Sequence, residues 1–238
     1  MPHPKFLDER NMIRCKQHAV LIMTLALFII ELVGDASTKT VKLLPVDEGP
    51  KDSSFKRFRD QLLQAARNHD RKFLLSVLSP EIQVSFGDDP GVENFIQYWR
   101  LDQPNSALWD ELTTLLSLGG AFLQKDAFDA PYVSALWPPD VDPFEHAAII
   151  GKDVKLRREA NSASPVVTTL SYDIVKVDYE RSVRDKTREG HYSWVKVRTP
   201  SGTEGYVAGK YIRNAVDYRA RFEKKGGRWL MTYLLAGD

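Results

Sequence analysis

The residues of this chain that could do nucleophilic or metal chemistry are few and scattered. The single cysteine, Cys15, stands just before an apolar run near the N-terminus. A mature chain cut after that run would hold no thiol, which removes disulfides, thiolate metal sites and cysteine nucleophiles. The histidines beyond the run are His69, His146 and His191. They form no His-x-x-x-His or Glu-flanked pair, so zinc hydrolysis has no ligand set to stand on. No Gly-x-Ser-x-Gly elbow supplies an activated serine. His69 beside Asp70 reads as a helix-end residue near the dipole, with a general base as the alternative. Asp88-Asp89, between Gly87 and Pro90-Gly91, reads as an ordinary turn; it could meet a cation but lacks calcium-loop spacing. Trp99, Trp109 and Trp137 could stack on sugars, yet two of them sit in amphipathic helical patterns, which favours packing. A carboxylate pair for glycoside cleavage is defined by spatial separation, which no sequence spacing fixes. No catalytic residue, metal ligand or cofactor is therefore expected.

Binding chemistry is better represented. The stretch DYERSVRDKTREGHYS carries Arg181, Arg184, Lys186 and Arg188, with Tyr192 one place before its end. Guanidinium groups with nearby aromatic rings suit an anionic polymer or a partner surface; a solvated hairpin extension is the plainer alternative. With Tyr206 and Tyr211 further on, the candidate ligand-binding set is Arg181, Arg184, Arg188, Tyr192, Tyr206 and Tyr211.

Composition narrows the partners. The 238 residues carry a formal net charge of +1, and the basic and acidic residues of positions 1–36 cancel. Nucleic-acid binders show a clear basic excess, so nucleic acid is not an expected partner. Ala19 to Ile30 reads AVLIMTLALFII, preceded by Arg14 and Lys16 and followed by the small residues Gly34 and Ala36. That layout predicts a secretory signal peptide over 1–36, or an anchor formed by residues 19–34 if uncut. Met12 is an alternative start with the short basic leader MIRCKQH. Export to the periplasm or cell envelope follows, with membrane contact only through this segment.

The remaining chain divides by periodicity. Residues 37–53 are polar, with Gly49-Pro50, and read as a linker. From Ser54, apolar residues at steps of three and four predict helices carrying Phe55, Phe58 and Leu62, then Phe73 and Leu74 after the cap Asp70. Glu81 to Phe86 alternates like a strand. Two more helices carry Phe95 with Trp99, and Leu108, Leu112, Leu115 and Leu116, the second stopped by Gly119-Gly120. Residues 129–144 read as an ordered crossing. Beyond them the period becomes two, with short strands around Val154, Val166, Ile174, Trp194, Tyr206 and Tyr211. Gly226-Gly227 between two alternating runs is a hairpin signal. The expected fold class is α+β: a helical α+β region over 54–145, a small β-barrel over 146–213 and a C-terminal β-hairpin over 214–238.

Within the β-rich part, Val154, Leu156 and Arg157 open a strand, Asn161–Ser164 forms a small-residue loop, and Pro165–Leu170 and Ile174–Val177 follow. Trp194, Val197 and Gly202 come next, then Gly205, Tyr206, Val207, Tyr211 and Ile212 close the run. In this order the motifs resemble the bacterial SH3-like family. The charged stretch between Val177 and Trp194 departs from it, standing where the family has a short turn. The resemblance implies binding, often to peptidoglycan peptides or bridging segments, or packing beside an enzyme; the leading reading is a non-catalytic binding or scaffolding protein of the envelope, with a peptidoglycan peptide or an envelope protein as its partner. The matched residues are core and turn positions, so no ligand residue carries over. SH3-like modules of this kind often accompany papain-like peptidases, whose cysteine this mature chain would lack. Alternatives are a cell-wall hydrolase or small-molecule enzyme with a pocket in the helical region, and a structural module docking on a partner protein. The flanking parts faintly resemble the nuclear-transport-factor-like α+β cone. That would make the barrel an insertion between the helices and the last strands; the rival is a helical cap with the terminal hairpin extending the barrel.

Overall fold

Two β-sheets share residues 40–238, which form one unit. The computed structural model describes residues 41–237 except 88, 89 and 189. The export segment at 1–36 and the Asp88-Asp89 pair therefore lie outside the described residues.

The first layer is helical. Helix α1 (Ser53–Arg67) starts where Asp52 accepts hydrogen bonds from the backbone N–H groups of Ser54 (2.7 Å) and Phe55 (3.0 Å), satisfying donors that the helix cannot. Asp70 does the same for α2 (Arg71–Ser76), accepting from Phe73 N–H at 3.0 Å. After strand β1 (Leu78–Gln83) come α3 (Val92–Trp99) and α4 (Leu108–Ser117). Gly119, at φ +74°, turns the chain out of α4 into the hairpin β2 (Ala121–Gln124) and β3 (Ala127–Ala130). Both short strands lie in a stretch where no strand is expected from the sequence. The short helix α5 (Tyr132–Ala135) follows.

The chain then builds a second sheet before returning to the first. Strands β4 (His146–Ile149), β5 (Val154–Arg157), β6 (Val166–Leu170), β7 (Ile174–Arg184), β8 (Tyr192–Arg198), β9 (Glu204–Ala208) and β10 (Ile212–Arg213) pair in the order β10-β4-β7-β8-β9-β5-β6. Strands β11 (Arg219–Lys225) and β12 (Arg228–Leu235) complete the first sheet, in the order β1-β12-β11-β3-β2. Their turn is Gly226-Gly227, both at positive φ, the conformation two-residue hairpins require. Strand β11 pairs with β3, so the barrel leaves and re-enters the first sheet at neighbouring strands. It is an insertion, and the terminal hairpin extends the helix-backed sheet rather than the barrel.

Three cores hold this arrangement. In the first, the ring of Phe55 lies 4.2 Å from that of Phe128 and 4.9 Å from that of Trp229, with Phe222 at 5.8 Å. These rings fill the space between helices and sheet. The barrel has its own core of Ile149, Val154, Leu156, Val175, Val195, Val197 and Val207. A third cluster, Leu43, Tyr132, Val133, Ala148 and Ile174, sits where the two meet. Leu43 belongs to the stretch read as a linker, and the structure corrects that reading for its described part. Leu43 N–H donates to Tyr172 O (2.9 Å) and Glu48 N–H to Gly120 O (2.9 Å), so the segment is stitched to both halves. One buried leucine in a polar stretch carries no period from which this could be read.

Candidate functional site

Helix α4 turns its leucines inward at positions 108, 112, 115 and 116, and Glu111 lies on the same stripe. Three residues after Leu108 and four before Leu115, its carboxylate is carried into the protein, where the side chain is 4% exposed. Arg213, leaving the barrel on β10, meets it: Nη2 donates to Oε1 at 2.7 Å, and also to the backbone carbonyl of Tyr218 at 2.6 Å. Arg213 is 8% exposed. A charge pair this deep is stable only because each partner neutralises the other.

Above the pair opens a cleft of about 1000 Å³. Its floor holds Glu111, Arg213 and Asp217; one wall is the β7–β8 hairpin with Arg188, His191, Tyr192 and Trp194; Phe144 and Tyr218 also line it. A bulge in β7 places that hairpin: Asp178 faces Lys196, while Val183, five residues on, faces Trp194. Ser182 fixes the bulge, its hydroxyl donating to Asp178 O at 2.6 Å and accepting from Lys196 N–H at 2.9 Å. At the tip, Arg188 Nη2 and His191 Nε2 each stand 3.9 Å from Glu111 Oε2. Tyr192 stacks on Tyr179, rings 5.2 Å apart. Burial pushes the Tyr179 phenol up to about 12. Asp217 is open to the cleft yet surrounded by protein. That surrounding raises its carboxyl above the usual range, opposed by the nearby Arg213 guanidinium and by the Asn214 N–H that Oδ2 accepts at 2.7 Å.

The sequence candidates divide. Arg188 and Tyr192 line the cleft, and Arg184 lies over the Tyr192 ring at 5.2 Å. Arg181 is elsewhere, paired with Asp178 at 2.6 Å. Tyr206 is covered by the Lys196 ammonium at 5.1 Å, and Tyr211 lies under Lys210 at 4.9 Å; neither lines the cleft. Of the three tryptophans weighed for sugar stacking, Trp99 and Trp109 are core, and Trp137 donates Nε1–H to Val141 O at 2.8 Å. His69 stacks on Trp109 at 5.2 Å, and His146 Nδ1 lies 3.1 Å from Asp142 O. Glu111, Arg213 and Asp217 were not expected from the sequence. A glutamate on the apolar stripe of α4 is the signal that marks the first.

Residues 152–213 match the model of the bacterial SH3 domain family. No curated protein matches the chain. Among solved structures, the chain is similar to one described as a calcium/calmodulin dependent protein kinase II association domain from Xanthomonas campestris. The identity is 13%, over 82% of this chain and 96% of that one, and the TM-score of 0.25 carries no argument about function or assembly. The barrel that supplies one wall of the cleft is thus a bacterial SH3 domain, built into the middle of a longer α+β chain.

Proposed function

We propose that this protein is an exported, non-catalytic binding or scaffolding protein of the cell envelope. Its ligand is received in the cleft between the SH3 barrel and the helix-backed sheet, either from peptidoglycan or from an envelope protein. The observation that carries this reading is the cleft itself, with the added hairpin of the barrel brought over it so that Arg188 and Tyr192 join its wall. Its size is that of a small-ligand or short-polymer site. The barrel family supports a binding or wall-associated role, and export rests on the apolar run at 19–30. Among the described residues no helix is long and apolar enough to cross a membrane.

The test is a sacculus pull-down with the wild-type chain and with Arg188→Ala and Tyr192→Ala variants. Retention by the wild type that both variants lose supports wall binding through this cleft. Failure of the wild type to be retained at any ionic strength sinks the wall ligand and leaves only an envelope protein. Retention unchanged in both variants moves the site elsewhere on the barrel, with the Arg181 and Tyr206 face next to examine.

A further inference from the structure

Resting on that reading of the cleft, we infer that its ligand is a neutral carbohydrate, one hydroxyl of which sits between Glu111 and the Arg188–His191 pair. The spacing selects the group. Glu111 Oε1 is taken by Arg213, but Oε2 has no hydrogen-bond partner among the described residues, although the side chain is only 4% exposed. The nearest cationic atoms, Arg188 Nη2 and His191 Nε2, both stand 3.9 Å away. That is too far for a direct hydrogen bond and too near for a bulky group.

A single oxygen about 2.8 Å from each side of such a gap subtends an angle of about 90°, within reach of a hydroxyl that donates to the carboxylate and accepts from the cation. Other groups fit worse. An ammonium cannot accept and a carboxylate cannot donate. A trans peptide amide carries its N–H and C=O on different atoms pointing in opposite directions, and so spans far more than this gap. Water satisfies the same geometry, and a sugar hydroxyl can displace it while reproducing its bonds.

Two further features agree. The walls offer aromatic surface for the C–H faces of a sugar ring: the Tyr192 ring backed by Tyr179, Trp194, and Phe144, which is 55% exposed. The ionic groups on the floor and at the hairpin tip are mixed in sign, which suits an uncharged ligand better than an anionic polymer.

The experiment uses the full chain, with tryptophan fluorescence and calorimetry. The probes are chitotetraose, cellotetraose and the blocked peptide acetyl-tetraalanine amide. Saturable binding of either oligosaccharide is expected, weakened about tenfold or more by Arg188→Ala, the loss of a hydrogen bond to a charged group. Glu111→Gln should weaken it similarly; should that variant misfold, Arg188→Ala at the exposed hairpin tip still decides. Absence of oligosaccharide binding at millimolar concentration, or binding indifferent to Arg188→Ala, overturns the inference. Binding of the blocked peptide alone also overturns it, while leaving the cleft as the site of the proposed function. Sacculus retention that depends on Arg188 without any oligosaccharide binding does the same. Loss of both retention and probe binding removes the inference and the wall ligand together.

Discussion

Replacing Arg213 by methionine should unsettle the junction between the barrel and the helical layer more than any surface change nearby. The substitution keeps the length of the side chain and removes its charge. It abolishes two hydrogen bonds, to Glu111 Oε1 at 2.7 Å and to Tyr218 O at 2.6 Å. Glu111 is left without its guanidinium partner, 4% exposed on the inward face of α4. Breaking a buried pair from one side costs about 3–5 kcal/mol. Two features pull the expected value to about 3 kcal/mol. Arg188 and His191 remain 3.9 Å from the orphaned carboxylate and can approach it. Arg213 also surrenders a buried Nε that has no partner among the described residues, so its removal returns part of its own desolvation penalty. A loss of about 3 kcal/mol is a large fraction of a typical 5–15 kcal/mol stability. Glu111→Leu should cost a similar amount for the mirror-image reason. The double variant Glu111→Leu/Arg213→Met should recover most of it, because apolar residues of similar volume often replace such a pair without loss. Urea unfolding of the four proteins at pH 7, completing a double-mutant cycle, measures this. Single variants each costing under about 1 kcal/mol, or a double variant no better than the worse single, refute the reasoning.

The other expectations concern packing, backbone and pH. Phe55→Ala, at the centre of five ring contacts with Phe58, Phe122, Phe128, Phe222 and Trp229, should cost about 3–5 kcal/mol in the same unfolding assay; a loss near 1 kcal/mol would show that the layer relaxes into the space. Gly209→Ala would set a Cβ 1.8 Å from Tyr192 O, backbone against backbone, and should cost about 3 kcal/mol or more. It should also disturb the adjoining cleft wall, read as a shift in tryptophan emission. Asp217 supplies a pH dependence whose sign is fixed. Its folded-state pKa lies above the ordinary value of 3.8, chiefly through desolvation by the surrounding protein, so between those two values the folded state holds the extra proton and stability falls as pH rises through that window. Asp217→Asn keeps an acceptor for Asn214 N–H and should flatten this segment of the stability–pH curve; an unchanged slope counts against the assignment.

Much of the fold is legible because its signals are local. Asp52 and Asp70 cap helices, the leucines of α4 recur at helical spacing, and Gly226-Gly227 marks the last hairpin. The barrel motifs are legible for a similar reason, since Gly205 stands where a Cβ would strike backbone. What stayed hidden depends on sequence-distant partners. Strands β2 and β3 are four residues each, too short for alternation to declare itself, and β3 exists because β11 pairs with it some ninety positions on, as in Arg221 opposite Asp129. The site was half legible. The charged stretch before Trp194 pointed to Arg188 and Tyr192 because it stands out against its surroundings. Glu111 and Arg213 are 102 positions apart, and nothing in either neighbourhood names the other. Arg181 and Tyr206 share the composition that made Arg188 a candidate, but the β7 bulge separates the hairpin tip from the barrel's outer face, and composition has no knowledge of a bulge.

The pair that fastens the barrel to the helical layer is also the floor of the cleft, and this ties stability to binding. A barrel inserted between β3 and β11 is tethered at both ends, and the Glu111–Arg213 contact helps set how it lies against α4. A ligand hydroxyl bridging Glu111 Oε2 and Arg188 would add a second connection between the same two elements, one absent from any state in which the hairpin has swung away. Such a ligand binds the assembled junction and not the opened one, so it stabilises the former by mass action, by about 2.7 kcal/mol at a hundredfold excess over its dissociation constant. The thermal midpoint should therefore rise with chitotetraose or cellotetraose in wild type. It should rise much less in Arg188→Ala, whose own unliganded midpoint should move little because Arg188 is 44% exposed and 3.9 Å from its partner. A ligand-induced rise of equal size in both proteins would place the stabilising contact somewhere other than across this junction.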